Sequence, residues 1–137
     1  VLMDDLPENW TYPLIQPKLI EKYLQVKNNS IIGATVTVTV DRPLGSYHPE
    51  YKDMYYPINY GYIEGVMAPD GEEQDAYILG VNEPVGKFTG KIIAIVHRKD
   101  DVEEKWVVVP DGMMFSKDEI RQQIYFQEQY FDSEIVM

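Results

Sequence analysis

The segment Ala34–Asp41, "ATVTVTVD", constrains the fold of this chain more than any other stretch. Val36, Val38 and Val40 alternate strictly with Thr35, Thr37 and Thr39. Successive side chains of an extended strand point to opposite faces, so this segment has one apolar face and one hydroxyl face. A helix would scatter the same valines around its circumference. β-Branched side chains also favour a pleated, half-buried surface. The segment therefore predicts a strand with its valine face against a core. Asp41 falls on the threonine face, at the end of the strand.

Further strands are expected at 75–81 (DAYILGV), 90–96 (GKIIAIV) and 106–109 (WVVV), the last stopped by Pro110. Residues 54–64 are aromatic and expected to be extended. The stretch 42–53 (RPLGSYHPEYKD) reads as a loop, and 65–74 and 97–105 read as turns. Pro7, Pro13 and Pro17 make residues 1–17 irregular, although Trp10, Tyr12 and Leu14 are apolar enough to pin that arm to a surface. Residues 18–25 suit a short helix with Leu19, Ile20, Tyr23 and Leu24 on one face, followed by a turn at Asn28-Asn29-Ser30. Ser116 with Glu119 has the spacing of a capping box. It predicts an amphipathic helix over 117–130 that buries Ile120, Ile124 and Phe126. Short strands with helices toward both ends predict an α+β domain built on a small closed or partly open antiparallel β-barrel. The expected organisation is a single domain over 1–137: an arm and short helix over 1–33, a barrel over 34–110 and a C-terminal helix over 111–137.

Charge narrows the function. The 137 residues carry a formal net charge of −11, which repels a phosphate backbone and disfavours a nucleic-acid partner. A polyvalent cation fits better, and an anionic ligand would come with a metal. The absence of cysteine excludes disulfides, thiolate zinc sites and a thiol nucleophile, and agrees with a cytoplasmic chain. No run approaches about 18 apolar residues, and no basic start precedes an apolar stretch. Neither a membrane partner nor a signal peptide is expected.

Two acidic turns stand out. Asp70-Gly71-Glu72-Glu73-Gln74-Asp75 places four carboxylates and a glycine in six residues. Gly71 permits a tight turn, Asp70 and Glu72 can share a side, and Asp75 opens the next strand. Converging carboxylates call for a hard cation such as Mg²⁺. Taken alone, the stretch reads better as a solvated hairpin tip. Asp100, Asp101, Glu103 and Glu104 form a second acidic turn before Lys105 and the strand at 106–109. If the strands pair, both turns can meet at one end of the barrel and hold two or more metals, which would polarise a phosphoryl group.

The stretch "YPINYGYI" (56–63) followed by the acidic turn resembles the soluble inorganic pyrophosphatases, the family with an OB-type barrel. The order continues with "EPV" (83–85) and "KDDVEEKWVVVP" (99–110). The likeness covers about residues 36–110, with a weaker echo at 122–130. It implies metal-dependent hydrolysis of inorganic diphosphate to two phosphates by a metal-activated water, with no covalent intermediate. It implies two or more Mg²⁺ ions per site, with Mn²⁺ or Co²⁺ as substitutes. By this resemblance Asp70, Glu72 and Asp75 match the first acidic motif. Asp75 would hold metal, and Glu72 would orient the water from a position where the family has the shorter aspartate. Asp100 or Asp101, then Glu103, match the later metal-binding carboxylates, and Asp41 matches a metal-site glutamate at the start of "DRPLGS" (41–46). Lys105 matches the phosphate-binding lysine, Tyr60 a tyrosine near the nucleophile, and Tyr130 a helix tyrosine that contacts phosphate.

The chain also departs from that pattern, as a shortened variant. Between Ser46 and Tyr56 there is no room for the family's hairpin with a phosphate-binding arginine, and Phe131 stands where the family has a lysine. Arg42 or Lys52 would replace the lost arginine, with Arg98 and Lys99 as further candidates. Tyr56 is expected beside the substrate or in the core. Asn59 is expected to hold the turn, and His48 and His97 read as loop or strand-end residues. Six of the eleven tyrosines lie in 47–62, as pocket wall or subunit interface, and a homo-oligomer is expected. Two other readings remain. One is a barrel of this type that binds metal or a phosphate ligand without turnover. The other is a hydrolase of a different phosphoanhydride.

Overall fold

The valine–threonine alternation becomes β1 (Thr35–Arg42). In the computed structural model, residues 31–99 and 103–137 are described, all within the unit Ile31–Met137. The expected arm over 1–17, the helix over 18–25 and the turn at 28–30 lie outside the described residues. After β1 come β2 (Asn59–Met67), β3 (Glu73–Ile78), β4 (Lys87–Arg98), β5 (Glu104–Val109), α1 (Lys117–Glu128) and β6 (Ser133–Val136).

The strands lie in the order β1-β2-β3-β5-β4, and a β1–β4 pairing closes them into a barrel. β6 adds to the outer half of β4, at Ile95 to Arg98. Every pairing is antiparallel except β3–β5, which is parallel, so the barrel is mixed where an antiparallel one was expected. The reason lies in the connection. After β3 the chain crosses to pair β4 with β1, and β5 then fills the gap between β3 and β4. Because β3 and β5 run the same way, the loops that lead into them enter at the same end of the barrel.

Strands β2 to β5 divide their residues between two cores. Val38, Ile63, Ala76, Ile78, Ile92 and Val108 come from all five closing strands and fill the barrel interior. Tyr60, Tyr77, Val96, Val107 and Val109 face outward, where Ile120 and Ile124 of α1 cover them with Ile135 of β6. Each fully buried aliphatic side chain in either cluster contributes about 1.5–3 kcal/mol by leaving water.

Two local devices set the geometry that matters below. Gly61 sits where a Cβ would come 2.0 Å from the carbonyl oxygen of Thr39, so only glycine lets β1 and β2 approach there. One step along, β1 bulges: Val40 pairs with Gly61, but Arg42, not Asp41, pairs with Tyr60. The extra residue turns Arg42 from the valine face to the outer face.

The helix starts as expected. The Ser116 hydroxyl accepts from the backbone N–H of Glu119, and the Glu119 carboxylate accepts from the N–H of Ser116. Its last residue is Glu128, and Phe126 is only half buried. The extended aromatic stretch begins later than expected, at Asn59. Residues 47–55 instead fold back on themselves through a bridge between Tyr47 and Tyr55. The turn between β2 and β3 is confined to 68–72. β6 was not anticipated, because four residues are too few for alternation to be read.

Candidate active site

The outer face of the barrel places the polar groups by parity. Asp75 lies two residues before Tyr77, Lys105 two before Val107, and Arg98 two after Val96. All three therefore share the helix-covered face. Register then brings them together. Asp75 pairs with Lys105 across the parallel ladder, and Tyr62 pairs with Asp75 on the other side. The bulge adds Arg42 next to Tyr60. Where α1 ends, the covering layer stops and a cleft of about 640 Å³ opens over these residues. The loop after β1 supplies His48, Tyr51, Asp53 and Met54 to its wall, and the segment after α1 supplies Tyr130 and Phe131.

The cleft floor is an ion cluster. The Lys105 ammonium donates to Asp75 Oδ2 at 2.6 Å, to Glu103 Oε1 at 2.5 Å and to the Tyr60 hydroxyl at 2.9 Å. Lys105 is 3% exposed while Asp75 is 34% exposed, so the carboxylate reaches the cleft and the ammonium lies beneath. Glu103 Oε2 accepts from Arg98 at 2.7 Å. Arg98 also donates from Nε and Nη2 to the two oxygens of Glu128, at 3.1 and 2.7 Å. Its guanidinium lies 3.6 Å from the centroid of the Phe131 ring. On the other side, Arg42 donates to the Tyr56 hydroxyl at 2.7 Å and stands 5.5 Å from the Tyr60 ring centroid.

Burial and charge fix the protonation states. Burial alone would push the Lys105 pKa down, but the Tyr60 phenol, Asp75 and Glu103 hold it above the ordinary lysine value. Tyr60 is raised by burial, with Asp75 adding to the effect and Lys105 opposing it. At neutral pH Lys105 is therefore a cation and Tyr60 a hydrogen-bond donor. Neither can serve as the base, which leaves the carboxylates. Glu128 is buried, which would raise it, but hydrogen bonds from Arg98, Ser133 and Tyr77 bring it below the usual carboxylate range. Partial burial raises the Asp41 carboxyl, Arg42 opposes this, and the negative charge of Asp75 raises it further.

The structure places the expected site residues unevenly. Arg42, Tyr60, Asp75, Glu103, Lys105 and Tyr130 line the cleft. Tyr56 lies behind its wall, fully buried, and donates to Gln127 at 3.0 Å. Asp70 and Glu72 stand exposed on the β2–β3 hairpin tip, outside the cleft lining, and the N–H of Glu72 donates to Asp70 Oδ1 at 2.9 Å. Gly71, at φ +86°, closes that tip. Lys52 is exposed on the 47–55 loop and also outside the lining. Asp100 and Asp101 lie outside the described residues. Asn59 holds its loop, accepting from the N–H of Leu44 and Val85 and donating to the carbonyl of Glu83.

Sequence reasoning passed over Tyr77, Gln127 and Glu128, and kept Arg98 only as a further candidate for the lost arginine. One signal was present. Ile120, Ile124 and Glu128 continue a single i+4 stripe, so a carboxylate falls on the buried face of the helix.

The donor chemistry suits a hard cation. The carboxylates of Asp41, Asp75 and Glu103 offer oxygen alone. Asp41 and Asp75 lie close enough for one to raise the pKa of the other. Among the described residues no three acidic or histidine side chains converge on a point. That number still fits Mg²⁺, which takes one or two carboxylates and completes its shell with water and substrate phosphate.

The inorganic pyrophosphatase family model matches residues 24–127. An inorganic pyrophosphatase of Halalkalibacterium halodurans is 28% identical over 103 residues, which cover 70% of this chain and 61% of that protein. This chain thus matches less than two thirds of that relative's length. Among solved structures, an inorganic pyrophosphatase from Coxiella burnetii superposes with a TM-score of 0.56 at 19% identity, over 77% of this chain and 84% of that one. One from Ehrlichia chaffeensis gives 0.57 at 19% identity, over 75% and 85%. These likenesses show a shared barrel fold.

Proposed function

The chain belongs to the inorganic pyrophosphatase family, and from that premise we propose that it hydrolyses inorganic diphosphate to two phosphates with the help of Mg²⁺. The observation that carries this reading is the Asp75–Lys105–Glu103 cluster with Tyr60 on the floor of the cleft. In this proposal Asp75, Asp41 and Glu103 hold the cations. One of Asp100 and Asp101 is the further carboxylate available to a second ion, Asp70 on the exposed hairpin tip is an outer contact only, and Mn²⁺ or Co²⁺ can substitute. Divalent metal, when bound, neutralises substrate charge and makes water more acidic.

The side chains do the rest. Lys105 and Arg42 present fixed positive charge to phosphoryl oxygens, and the Arg42 guanidinium is suited to a two-oxygen grip. Tyr60 donates to an oxygen near the reacting phosphorus. Asp75, a half-buried carboxylate that shares the Lys105 ammonium with Tyr60, orients the attacking water. Tyr130 at the mouth and Lys52 on the loop are outer contacts for phosphate, and Glu72 reaches water only from the hairpin tip. Tyr56 supports Arg42 from behind.

The same proposal takes 1–137 as one domain and the chain as a cytoplasmic homo-oligomer without nucleic-acid or membrane partners. Its acidity supports the nucleic-acid part. Among the described residues no helix is long and apolar enough to cross a membrane. The test is phosphate release from diphosphate with Mg²⁺, with EDTA, and for Asp75→Asn. Turnover that survives chelation defeats the metal-dependent reading. Absence of turnover with Mg²⁺, Mn²⁺ and Co²⁺ favours a binding domain, for which dissociation constants for Mg²⁺ and phosphate would then be measured.

A further inference from the structure

We propose that Gln127 and Glu128, in the last turn of α1, are positioning residues that fix Arg42 and Lys105 relative to each other. The inference rests on reading the cleft as a diphosphate site, where two cations must meet two ends of one short anion. Arg42 and Lys105 rise from β1 and β5, with β2 and β3 between them. The path along the sheet from one backbone to the other crosses three strand spacings of about 4.8 Å each. Side chains as long as these do not hold a fixed spacing from the sheet alone.

A buried relay supplies it. From the Arg42 side, the guanidinium donates to Tyr56 Oη, and Tyr56 donates to Gln127 Oε1. Gln127 Nε2 donates to Tyr77 Oη at 2.9 Å, and Tyr77 donates to Glu128 Oε2 at 2.5 Å. From the Lys105 side, Glu103 joins the ammonium to Arg98, and Arg98 ends on both oxygens of Glu128. Ser133 Oγ adds a donor to Glu128 Oε1 at 2.5 Å.

The polarity of this relay has one solution. A phenol has a single proton, so Tyr56 gives its own to Gln127 and accepts from Arg42. With its oxygen occupied, Gln127 must donate to Tyr77, and Tyr77 must donate to Glu128. The chain of donors from Arg42 and the Arg98 guanidinium from the other side therefore both end on the Glu128 carboxylate, which accepts and never donates. Tyr56, Tyr77, Arg98, Gln127 and Glu128 are all buried, so water cannot replace a missing partner. A neutral amide at 128 would aim N–H groups at donors and break the relay at its centre.

The experiment compares steady-state hydrolysis of Mg²⁺–diphosphate with thermal melting for four proteins. These are the wild type, Glu128→Gln, Tyr56→Phe and the double variant Arg98→Met/Glu128→Leu. A positioning role predicts a KM for diphosphate raised about tenfold in Glu128→Gln and about fivefold in Tyr56→Phe, with kcat changed less than about threefold. Replacing a buried ion pair by apolar side chains is often neutral for folding. The double variant is therefore expected to melt near the wild type with KM still raised. Recovery of KM together with melting temperature in the double variant overturns the proposal, since it assigns the network to stability alone. So does a KM within twofold of the wild type in Tyr56→Phe, which keeps its ring packing and removes one hydroxyl. A wild type that does not turn over diphosphate is a failure of the cleft's functional reading instead.

Discussion

Asp70 and Asp75 belong to one acidic stretch and have the same chemistry, yet the fold treats them as opposites. Asp70 ends on an exposed hairpin tip, where it caps its own turn by accepting from the N–H of Glu72. Asp75 lies on a strand whose neighbour is fixed by register, and its carboxylate meets the Lys105 ammonium at 2.6 Å. Charge density is the same at both places. The difference is that a strand position has defined neighbours on both sides, whereas a turn tip has water. A site is made where a register turns residues distant in sequence into partners.

That contrast can be broken by substitution. The largest effect is expected for Lys105→Met, which removes the common partner of Asp75, Glu103 and Tyr60. Turnover of diphosphate should fall about 10²–10³-fold, the scale for losing one preorganised charge donor. Circular dichroism would check that the barrel persists. Asp75→Asn should follow, with turnover down about 10²-fold, and its sharper readout is binding. Mg²⁺ at a hundred times its dissociation constant stabilises a protein by about 2.7 kcal/mol. This thermal shift should be seen in the wild type, vanish with EDTA and be largely absent in Asp75→Asn.

Acid titration gives a smaller effect. The folded pKa of Glu128 lies below its unfolded value of about 4.3. Its contribution is therefore fully present above that pH and is lost as pH falls through the folded value. Glu128→Gln should flatten the fall of melting temperature as pH drops below about 4.3. Least of all is expected at the tip: Asp70→Asn and Glu72→Gln should leave turnover within about threefold, as most exposed substitutions leave stability nearly unchanged. A tenfold loss there would mean that the tip reaches the reacting phosphate, and the contrast drawn above would fail.

Glu72 sharpens what could be read in advance. Its spacing from Asp70 and Asp75 is plain in the sequence, and a family pattern makes it a candidate for holding water. Spacing does not say whether the turn brings Glu72 to a reacting centre or leaves it in water. Arg98 is the converse case. As a charge beside Lys99 and two aspartates it looks solvated, and only the stripe Ile120–Ile124–Glu128 hints that a buried partner awaits it.

The sequence by itself determined β1 and its two faces from the valine–threonine period, and the start of α1 from Ser116 and Glu119. Those features follow from contacts within a few residues, where side-chain direction repeats every second or every 3.6 residues. Only the tertiary structure decided that Arg42 turns outward at a bulge, that β3 and β5 lie parallel so that Asp75 meets Lys105, and that Glu128 collects the hydrogen bonds from both ends of the cleft. These follow from closing a barrel, in which each register is set by all the strands and the covering helix together.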